Sequence, residues 1–192
     1  MGAKKSKLSK KKIEDLSNKT KFTAAEIKSW YSGFLKDCPS GQLRFDLFKA
    51  EFTAIYRQFF PSGDSGTFSN LVFNLFDANG DGTIEFEEFL TALSVTSRGN
   101  PEDKLEWAFK LYDLDGDGTI SKPEMLKIVK AISTMTGQSD DTFKPAERVE
   151  KIFATMDEDG NGELTKAEFL EGARRDRSIM QALTMDAGGG VA

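Results

Sequence analysis

The chain of 192 residues contains no histidine and only one cysteine, Cys38. A single thiol cannot form an internal disulfide, and the lack of histidine removes both imidazole bases and the usual zinc clusters. Enzymes that use serine–histidine or cysteine–histidine pairs are therefore disfavoured. Because every cluster of carboxylates fits a metal-binding pattern instead, we expect no catalytic residues and no enzymatic activity.

Long apolar runs are also missing. No stretch approaches the roughly 18 residues that a membrane-spanning helix needs, and we expect no secretory signal before the body of the chain. The hydrophobic content of 39% is enough for a sizeable core, in one domain or two small lobes. Basic residues gather only near the N-terminus, which argues against nucleic-acid binding. We expect a cytoplasmic protein.

Oxygen-bearing side chains, in contrast, recur in one pattern in residues 77–88, 113–124 and 157–168. Each stretch begins with Asp, has an acid or amide at its third and fifth places and Gly at its sixth, and ends with Glu. Calcium takes about six to eight oxygen ligands, which a tight turn supplies from alternate residues and a bidentate terminal Glu. Counting the backbone carbonyl of the seventh residue, the predicted ligands are Asp77, Asn79, Asp81, Thr83 and Glu88; Asp113, Asp115, Asp117, Thr119 and Glu124; and Asp157, Asp159, Asn161, Glu163 and Glu168.

One chance match to this pattern would arise in roughly one chain in a thousand of this length. Three matches rule out coincidence, and acidic surface turns are a poor explanation. The sequence therefore predicts three bound calcium ions. Loop 157–168 has three side-chain carboxylate ligands against four in loop 113–124, and we expect it to be the weakest site.

A fourth helix–loop–helix unit precedes the other three. Thr23 and Glu26 form a capping box that predicts a helix start, and apolar residues then recur at helical spacing. The turn that follows aligns as a loop over residues 36–47. Its ligand places hold Lys36, Cys38, Ser40 and Leu47, which bring a positive charge, a soft thiol and too few oxygens. This loop is predicted not to bind calcium.

These units are EF-hands, which pair through their eighth residues, so Leu43 is expected to pair with Ile84 and Ile120 with Leu164. The predicted fold is all-α, with two lobes of paired EF-hands and short paired β segments. Expected boundaries are an N-terminal arm over 1–22, EF-hand pairs over 23–97 and 100–183, and a flexible tail over 184–192. Asn100 and Pro101 begin the helix after the linker, and residues 136–144 form a surface loop.

The N-terminus carries an acylation signal. Removal of Met1 would expose Gly2, and Ser6 occupies the place that N-myristoylation requires. Six lysines follow within the first dozen residues, and one acyl chain needs such a second signal for stable anchoring. We expect peripheral membrane attachment through the acyl chain and the lysines.

Several longer motifs have no role in calcium ligation. They include Lys28-Ser29-Trp30-Tyr31, Cys38-Pro39, Phe59-Phe60-Pro61, the linker 94–99, and Trp107-Ala108-Phe109. On these motifs and the acylation signal, the chain resembles the neuronal calcium sensor family, most closely its frequenin branch, from Gly2 to about Leu183. The resemblance implies a U-shaped pair of lobes, a calcium-controlled groove and targets such as phosphatidylinositol 4-kinase, membrane receptors or receptor kinases.

Taken together, the residues predict a calcium sensor. Calcium binding is expected to move the helix after each loop and expose an apolar groove that a partner helix fills. The groove candidates are Trp30, Phe34, Phe48, Phe52, Ile55, Phe68, Val72, Phe76 and Leu90. Aromatic residues at helical spacing are more often core, so pure scaffolding by the first hand stays open. A passive buffer and a permanently bound regulatory subunit of an enzyme are the alternative functions.

Overall fold

The computed structural model describes residues 8–59, 64–137 and 144–175, apart from the side chains of Phe52 and residues 54–59. Within these ranges the chain forms nine α-helices and two antiparallel sheets of two strands each. None of these helices is long and apolar enough to cross a membrane. The all-α class with small paired strands, predicted from the sequence, is confirmed.

The elements follow one another as four helix–strand–helix units preceded by one extra helix. In chain order they are α1 (Lys10–Lys19), α2 (Ala24–Asp37), β1 (Gln42–Arg44), α3 (Phe45–Phe59), α4 (Gly66–Phe76), β2 (Thr83–Glu85), α5 (Phe86–Arg98), α6 (Pro101–Tyr112), β3 (Thr119–Ser121), α7 (Lys122–Thr136), α8 (Pro145–Met156), β4 (Glu163–Thr165) and α9 (Lys166–Arg175).

Helix starts are fixed by side chains that satisfy free backbone amides. At α2, Thr23 N donates to Glu26 Oε2 at 2.8 Å while Glu26 N donates to Thr23 Oγ1 at 3.3 Å. Asn100 and Asp103 exchange the same two bonds at α6, with Pro101 as its first residue. Each capping box satisfies two donors that have no partner inside the helix. Both predicted helix starts are confirmed.

Strand pairing joins the loops in twos. Leu43 lies opposite Ile84 in one sheet, and Ile120 lies opposite Leu164 in the other. Ile84, Ile120 and Leu164 are completely buried. The pairs hold because the eighth residue of each loop turns inward while its backbone bonds to the facing strand. The predicted pairing between loops is therefore confirmed in both sheets.

Two hydrophobic clusters form the core. The smaller contains residues of α1, α2 and α5, including Leu16, Ile27 and Leu90. The larger combines α3 and α4 with the four helices after Gly99. Helix α4 packs on α6 and α7, and the backbone N–H of Asp64 donates to the Thr134 carbonyl at 3.0 Å. The first two EF-hands therefore pack directly against the last two.

Helix α1 was not expected within the N-terminal arm. Ser9 caps it by accepting a hydrogen bond from Lys12 N at 3.1 Å. A helix of ten residues is marginal alone, so packing must hold it. Ile13 and Leu16 are buried against α2 and α5, and Lys19 Nζ contacts Glu87 at 2.9 Å. The basic segment is thus partly docked on the second EF-hand.

Charged side chains also fasten the junction between α5 and α6. Arg98 donates to Glu26 Oε1 at 2.6 Å and to the Lys21 carbonyl at 3.0 Å, and its guanidinium lies 4.4 Å from the Phe22 ring centre. The Arg98 hydrogen bond, with help from Thr23, lowers the pKa of Glu26 to about 2. Lys21 in turn contacts Asp103 at 2.6 Å. This network orients the linker around Gly99.

Gly172 lies where α9 crosses α8, and this close approach gives a test of the packing. A Cβ at Gly172 would lie 3.1 Å from Met156 Cβ and closer still to Met156 Cγ. We expect Gly172→Ala to lower the free energy of unfolding by about 1 to 3 kcal/mol, measured by urea denaturation in chelator.

Gly33→Ala is the matched control, because nothing lies within 4 Å of an added Cβ in the interior of α2. Alanine there should leave stability unchanged or raise it by up to about 1 kcal/mol. Equal unfolding midpoints for Gly172→Ala and the unsubstituted protein would contradict the packing between α8 and α9.

Candidate functional site

The loop between α6 and α7 gathers three carboxylates. Oxygens of Asp113, Asp115 and Asp117 lie within 4.8 Å of one another. Asp113 Oδ2 accepts a hydrogen bond from Gly118 N at 3.1 Å, whereas its Oδ1 is buried and has no hydrogen-bond partner among the described residues. A buried carboxylate oxygen without a partner is unfavourable. A cation held by this loop would satisfy Asp113 Oδ1, so the residues fit calcium.

The loop between α8 and α9 has a second cluster, formed by Asp157, Asp159 and Glu168 within 4.8 Å. Asp157 accepts hydrogen bonds from Gly160 N at 2.8 Å and from Gly162 N at 3.0 Å. These bonds fold the loop so that carboxylates from its start and its end meet. Carboxylates held this close repel one another, and a divalent cation would remove that repulsion.

The loop between α4 and α5 is folded similarly but is less acidic at its centre. Asp77 accepts from Asp81 N at 3.1 Å and from Gly82 N at 2.8 Å. The Thr83 hydroxyl donates to Asp81 at 2.8 Å and lowers the pKa of that carboxyl. Residues 77–88 are all described, yet no three of their carboxylates come within 4.8 Å of one another. The amide of Asn79 takes the place of one carboxylate.

The last Glu of each acidic loop accepts hydrogen bonds both from the loop and from the start of the helix that follows it. Glu124 accepts from Ser121 N at 2.8 Å at the start of α7 and from Leu114 N at 2.9 Å at the start of the loop. Burial opposes ionisation of Glu124, but hydrogen bonds from Ser121, Leu114 and Asp115 lower its pKa overall. Glu88 and Glu168 are held in the same way. Each closing carboxylate already faces the loop.

The seventh places of the last two loops are in contact. Thr119 Oγ1 bonds Asp117 Oδ1 at 2.9 Å and approaches Glu163 Oε2 at 3.4 Å across the β3–β4 pair. Sequence analysis assigned only backbone carbonyls to these positions and missed the side-chain contact. Thr119 lies opposite Thr165 and Glu163 lies opposite Ser121, so Thr119 and Glu163 are diagonal neighbours across the pair. The predicted pairing of Ile120 with Leu164 was the signal available in the sequence.

The first loop lacks such a cluster. Lys36 and Asp37 end α2, Cys38 is buried behind them, and burial raises the pKa of its thiol. Gly41 has φ +82°, and Ser40 accepts a hydrogen bond from Gln42 N at 3.3 Å, so a turn forms without charged ligands. The described residues 36–47 thus provide the strand that pairs with β2 but no group of three carboxylates.

An apolar cleft of about 350 Å³ lies beside this first loop, between α2, α3 and α5. Trp30, Phe34 and Phe48 of the predicted groove line it, and Trp30 is 41% exposed. The Phe89 ring contacts Trp30 at 6.3 Å and Phe34 at 5.4 Å between centroids. A cleft of this size lies within the range of about 300 to 1,000 Å³ found for ligand sites.

The other groove candidates lie elsewhere. Phe68, Val72 and Leu90 are buried in the two core clusters and do not line the cleft. Phe76 is half-buried and contacts Phe48 and Trp107. The side chains of Phe52 and Ile55 are outside the described set. Sequence analysis missed the other lining residues, which are Gly33, Asp37, Cys38, Leu43, Leu47, Glu51 and Phe89.

Helix–loop–helix units with acidic twelve-residue loops, joined in twos by a short strand pair, define an EF-hand calcium-binding protein. Comparison with protein families agrees with that class. An EF-hand domain pair matches residues 102–174, and an EF hand domain matches residues 70–96.

Comparison with individual proteins narrows the class. The chain is 52% identical to neuronal calcium sensor 1 of Aplysia californica and 51% identical to that of Lymnaea stagnalis, each over 96% of this chain and 97% of the relative. It is 42% identical to S-modulin of Aquarana catesbeiana over 73% of this chain and 67% of the relative. The chain belongs to the neuronal calcium sensor family and fits its frequenin branch. It is a calcium sensor and not an enzyme.

Trp30 in the cleft and Phe68 in the core differ in exposure, and this difference leads to a test. Phe68 is fully buried, whereas two-fifths of Trp30 is exposed. Phe68→Ala should lower the free energy of unfolding by about 3 to 5 kcal/mol, because it leaves a cavity. Trp30→Ala should lower it by less than about 2 kcal/mol, since it removes only edge contacts. Denaturation of both variants in calcium provides the comparison, and a larger loss for Trp30→Ala would place Trp30 in the core.

Proposed function

We propose that the protein binds three calcium ions, in loops 77–88, 113–124 and 157–168, and none in loop 36–47. The ligands would be the side chains of Asp77, Asn79, Asp81 and Glu88, their counterparts in the other two loops, and the backbone carbonyls of Thr83, Thr119 and Glu163. The observation that carries this proposal is the partnerless, buried Asp113 Oδ1 inside a cluster of three aspartates. Bound calcium would supply positive charge that neutralises the gathered carboxylates.

Residues of this chain would transmit calcium binding in loop 77–88, the second loop, to the cleft. Glu88 closes that loop and caps α5, and the next residue, Phe89, packs on Trp30 and Phe34 in the cleft wall. A shift of Glu88 therefore moves Phe89 with it. This linkage supports a cleft that opens with calcium and receives an apolar helix of a target protein.

For targets, we propose membrane-associated proteins of the phosphatidylinositol 4-kinase, receptor or receptor-kinase type, and no nucleic acid. The aromatic cleft supports this proposal over a passive buffer, because a buffer needs no exposed docking surface. Purification of the protein from cells with and without calcium tests whether the target is released, since a permanently bound subunit would stay with its partner in chelator.

We further propose attachment to the cytoplasmic face of a membrane through a myristoyl group on Gly2 and the neighbouring lysines. Gly2 and lysines 4, 5 and 7 lie outside the described residues. Lys12 contacts Glu87 at 3.4 Å, so lysines 10 and 11 of α1 are the better membrane contacts in the described part.

The proposed organisation keeps residues 1–22 as the anchoring segment, 23–97 and 100–183 as EF-hand pairs, and 184–192 as a tail.

Titration calorimetry of the calcium-free protein tests the number of sites. We expect three ions per chain, with dissociation constants of about 10⁻⁷ to 10⁻⁵ M. Glu88→Gln, Glu124→Gln and Glu168→Gln should each leave two, because each removes the bidentate carboxylate of one loop. Glu87→Gln is the control, since Glu87 faces lysines of α1 and should leave three. A fourth ion, or a variant at Glu88, Glu124 or Glu168 that keeps three, would falsify the assignment.

Vesicle sedimentation tests the anchor. Protein made with an N-myristoyltransferase should sediment with acidic vesicles, and Gly2→Ala should remove most of that binding, because the acyl chain can attach only there. Calcium stoichiometry should not change in Gly2→Ala. Replacing lysines 4, 5 and 7 should weaken sedimentation in a salt-dependent way, by up to about 1 kcal/mol for each lysine. Equal sedimentation of acylated and unacylated protein would rule out the anchor.

A further inference from the structure

The cleft beside the first loop is apolar at its base and acidic at its border. Its described lining has two charged residues, Asp37 and Glu51, both carboxylates and both exposed, and neither lysine nor arginine. Its base is aromatic, because Phe34 and Phe48 are almost fully buried there. A cleft with this composition offers large apolar contacts inside and negative charge only at the rim.

Position within the fold strengthens the negative charge at Asp37. Asp37 is the last residue of α2, where backbone carbonyls without partners already carry partial negative charge. The neighbouring cations do not line the cleft. Lys36 is exposed next to Asp37, and Lys49 Nζ lies 5.8 Å from the centre of the Phe45 ring. Among the described residues that line the cleft, Asp37 and Glu51 therefore carry the only charges at its border.

The apolar lining of the cleft is suited to a helix with bulky apolar side chains. Trp30 and Leu47 expose 41% and 37% of their surface and are the two exposed large apolar residues in the described part of the chain. Trp30 is held edge-on by Phe22 and Phe89, with ring centroids 6.2 and 6.3 Å away. A rigid aromatic side chain that is already partly exposed is the type of residue that dominates binding at protein interfaces.

We propose that the cleft selects an amphipathic target helix whose apolar face is flanked by lysine or arginine, with Asp37 and Glu51 as the residues that set this preference. The inference rests on the proposed groove and adds the charge of its occupant. An acidic helix would bring like charges to the rim, which costs affinity. An acyl chain would leave both carboxylates without a partner.

Three synthetic helical peptides with the same apolar face test the inference. They carry lysine, glutamine or glutamate at the positions that flank that face, and are titrated into the full chain at saturating calcium with calorimetry as the readout. We expect the lysine peptide to bind roughly fivefold tighter than the glutamine peptide, and the glutamate peptide to bind weaker than both. The preference should shrink as salt rises, because rim charges are screened.

Two double variants distinguish the effect of the rim carboxylates on peptide binding from the effect of the overall charge of the protein. Asp37→Asn with Glu51→Gln should bring the lysine and glutamine peptides to equal affinity while affinity for the glutamine peptide stays unchanged. The matched control is Asp15→Asn with Glu14→Gln, which removes the same charges from exposed positions of α1 outside the cleft lining. The control should keep the roughly fivefold preference.

The outcomes distinguish this inference from the groove on which it rests. Equal binding of all three peptides, or the same loss of preference in both double variants, overturns the role of Asp37 and Glu51 but leaves the groove. Failure of every peptide to bind overturns the groove and the inference together. Binding of myristate in place of any peptide, blocked by Trp30→Ala, would assign the cleft to an acyl chain and also overturn the inference.

Discussion

In each acidic loop, one glutamate carboxylate bonds both to the loop and to the helix that follows it. The rest of the structure depends on these glutamates. Glu88, Glu124 and Glu168 close their loops and also cap the helices that follow, as the N3 residues of capping boxes. The loop cannot rearrange around its closing glutamate without disturbing the first turn of α5, α7 or α9. A local electrostatic change therefore has a mechanical consequence, which is the basis of sensing in this fold.

Strand pairing spreads that consequence through the molecule. The Leu43–Ile84 and Ile120–Leu164 pairs hold the loops in twos, and three of these four side chains have no exposed surface. The first hand, which has no acidic cluster, still provides β1 and much of the cleft wall through α2 and α3. Its retention has a physical reason, because without it β2 would be an unpaired edge strand.

The Glu88–Phe89 junction joins loop 77–88, a proposed calcium site, to the cleft proposed as the docking surface. Glu88 faces the second loop, and Phe89 faces Trp30 and Phe34 in the cleft. Helix α1 docks on the same helix, since Lys12 and Lys19 both contact Glu87. Glu87, Glu88 and Phe89, which are consecutive at the start of α5, thus contact α1, loop 77–88 and the cleft in turn. Movement of this one turn affects all three.

The sequence by itself determined the loops and the helix starts at Thr23 and Asn100, because these depend on residues a few positions apart. It also determined the pairing of Leu43 with Ile84, because both residues occupy the eighth place of their loops. Tertiary structure alone decided which aromatic residues line the cleft. Trp30 and Phe68 have the same helical periodicity in sequence, yet one is 41% exposed and the other fully buried. Periodicity shows which face of a helix is apolar, but only the packing of α4 on α6 and α7 decides which apolar faces are covered.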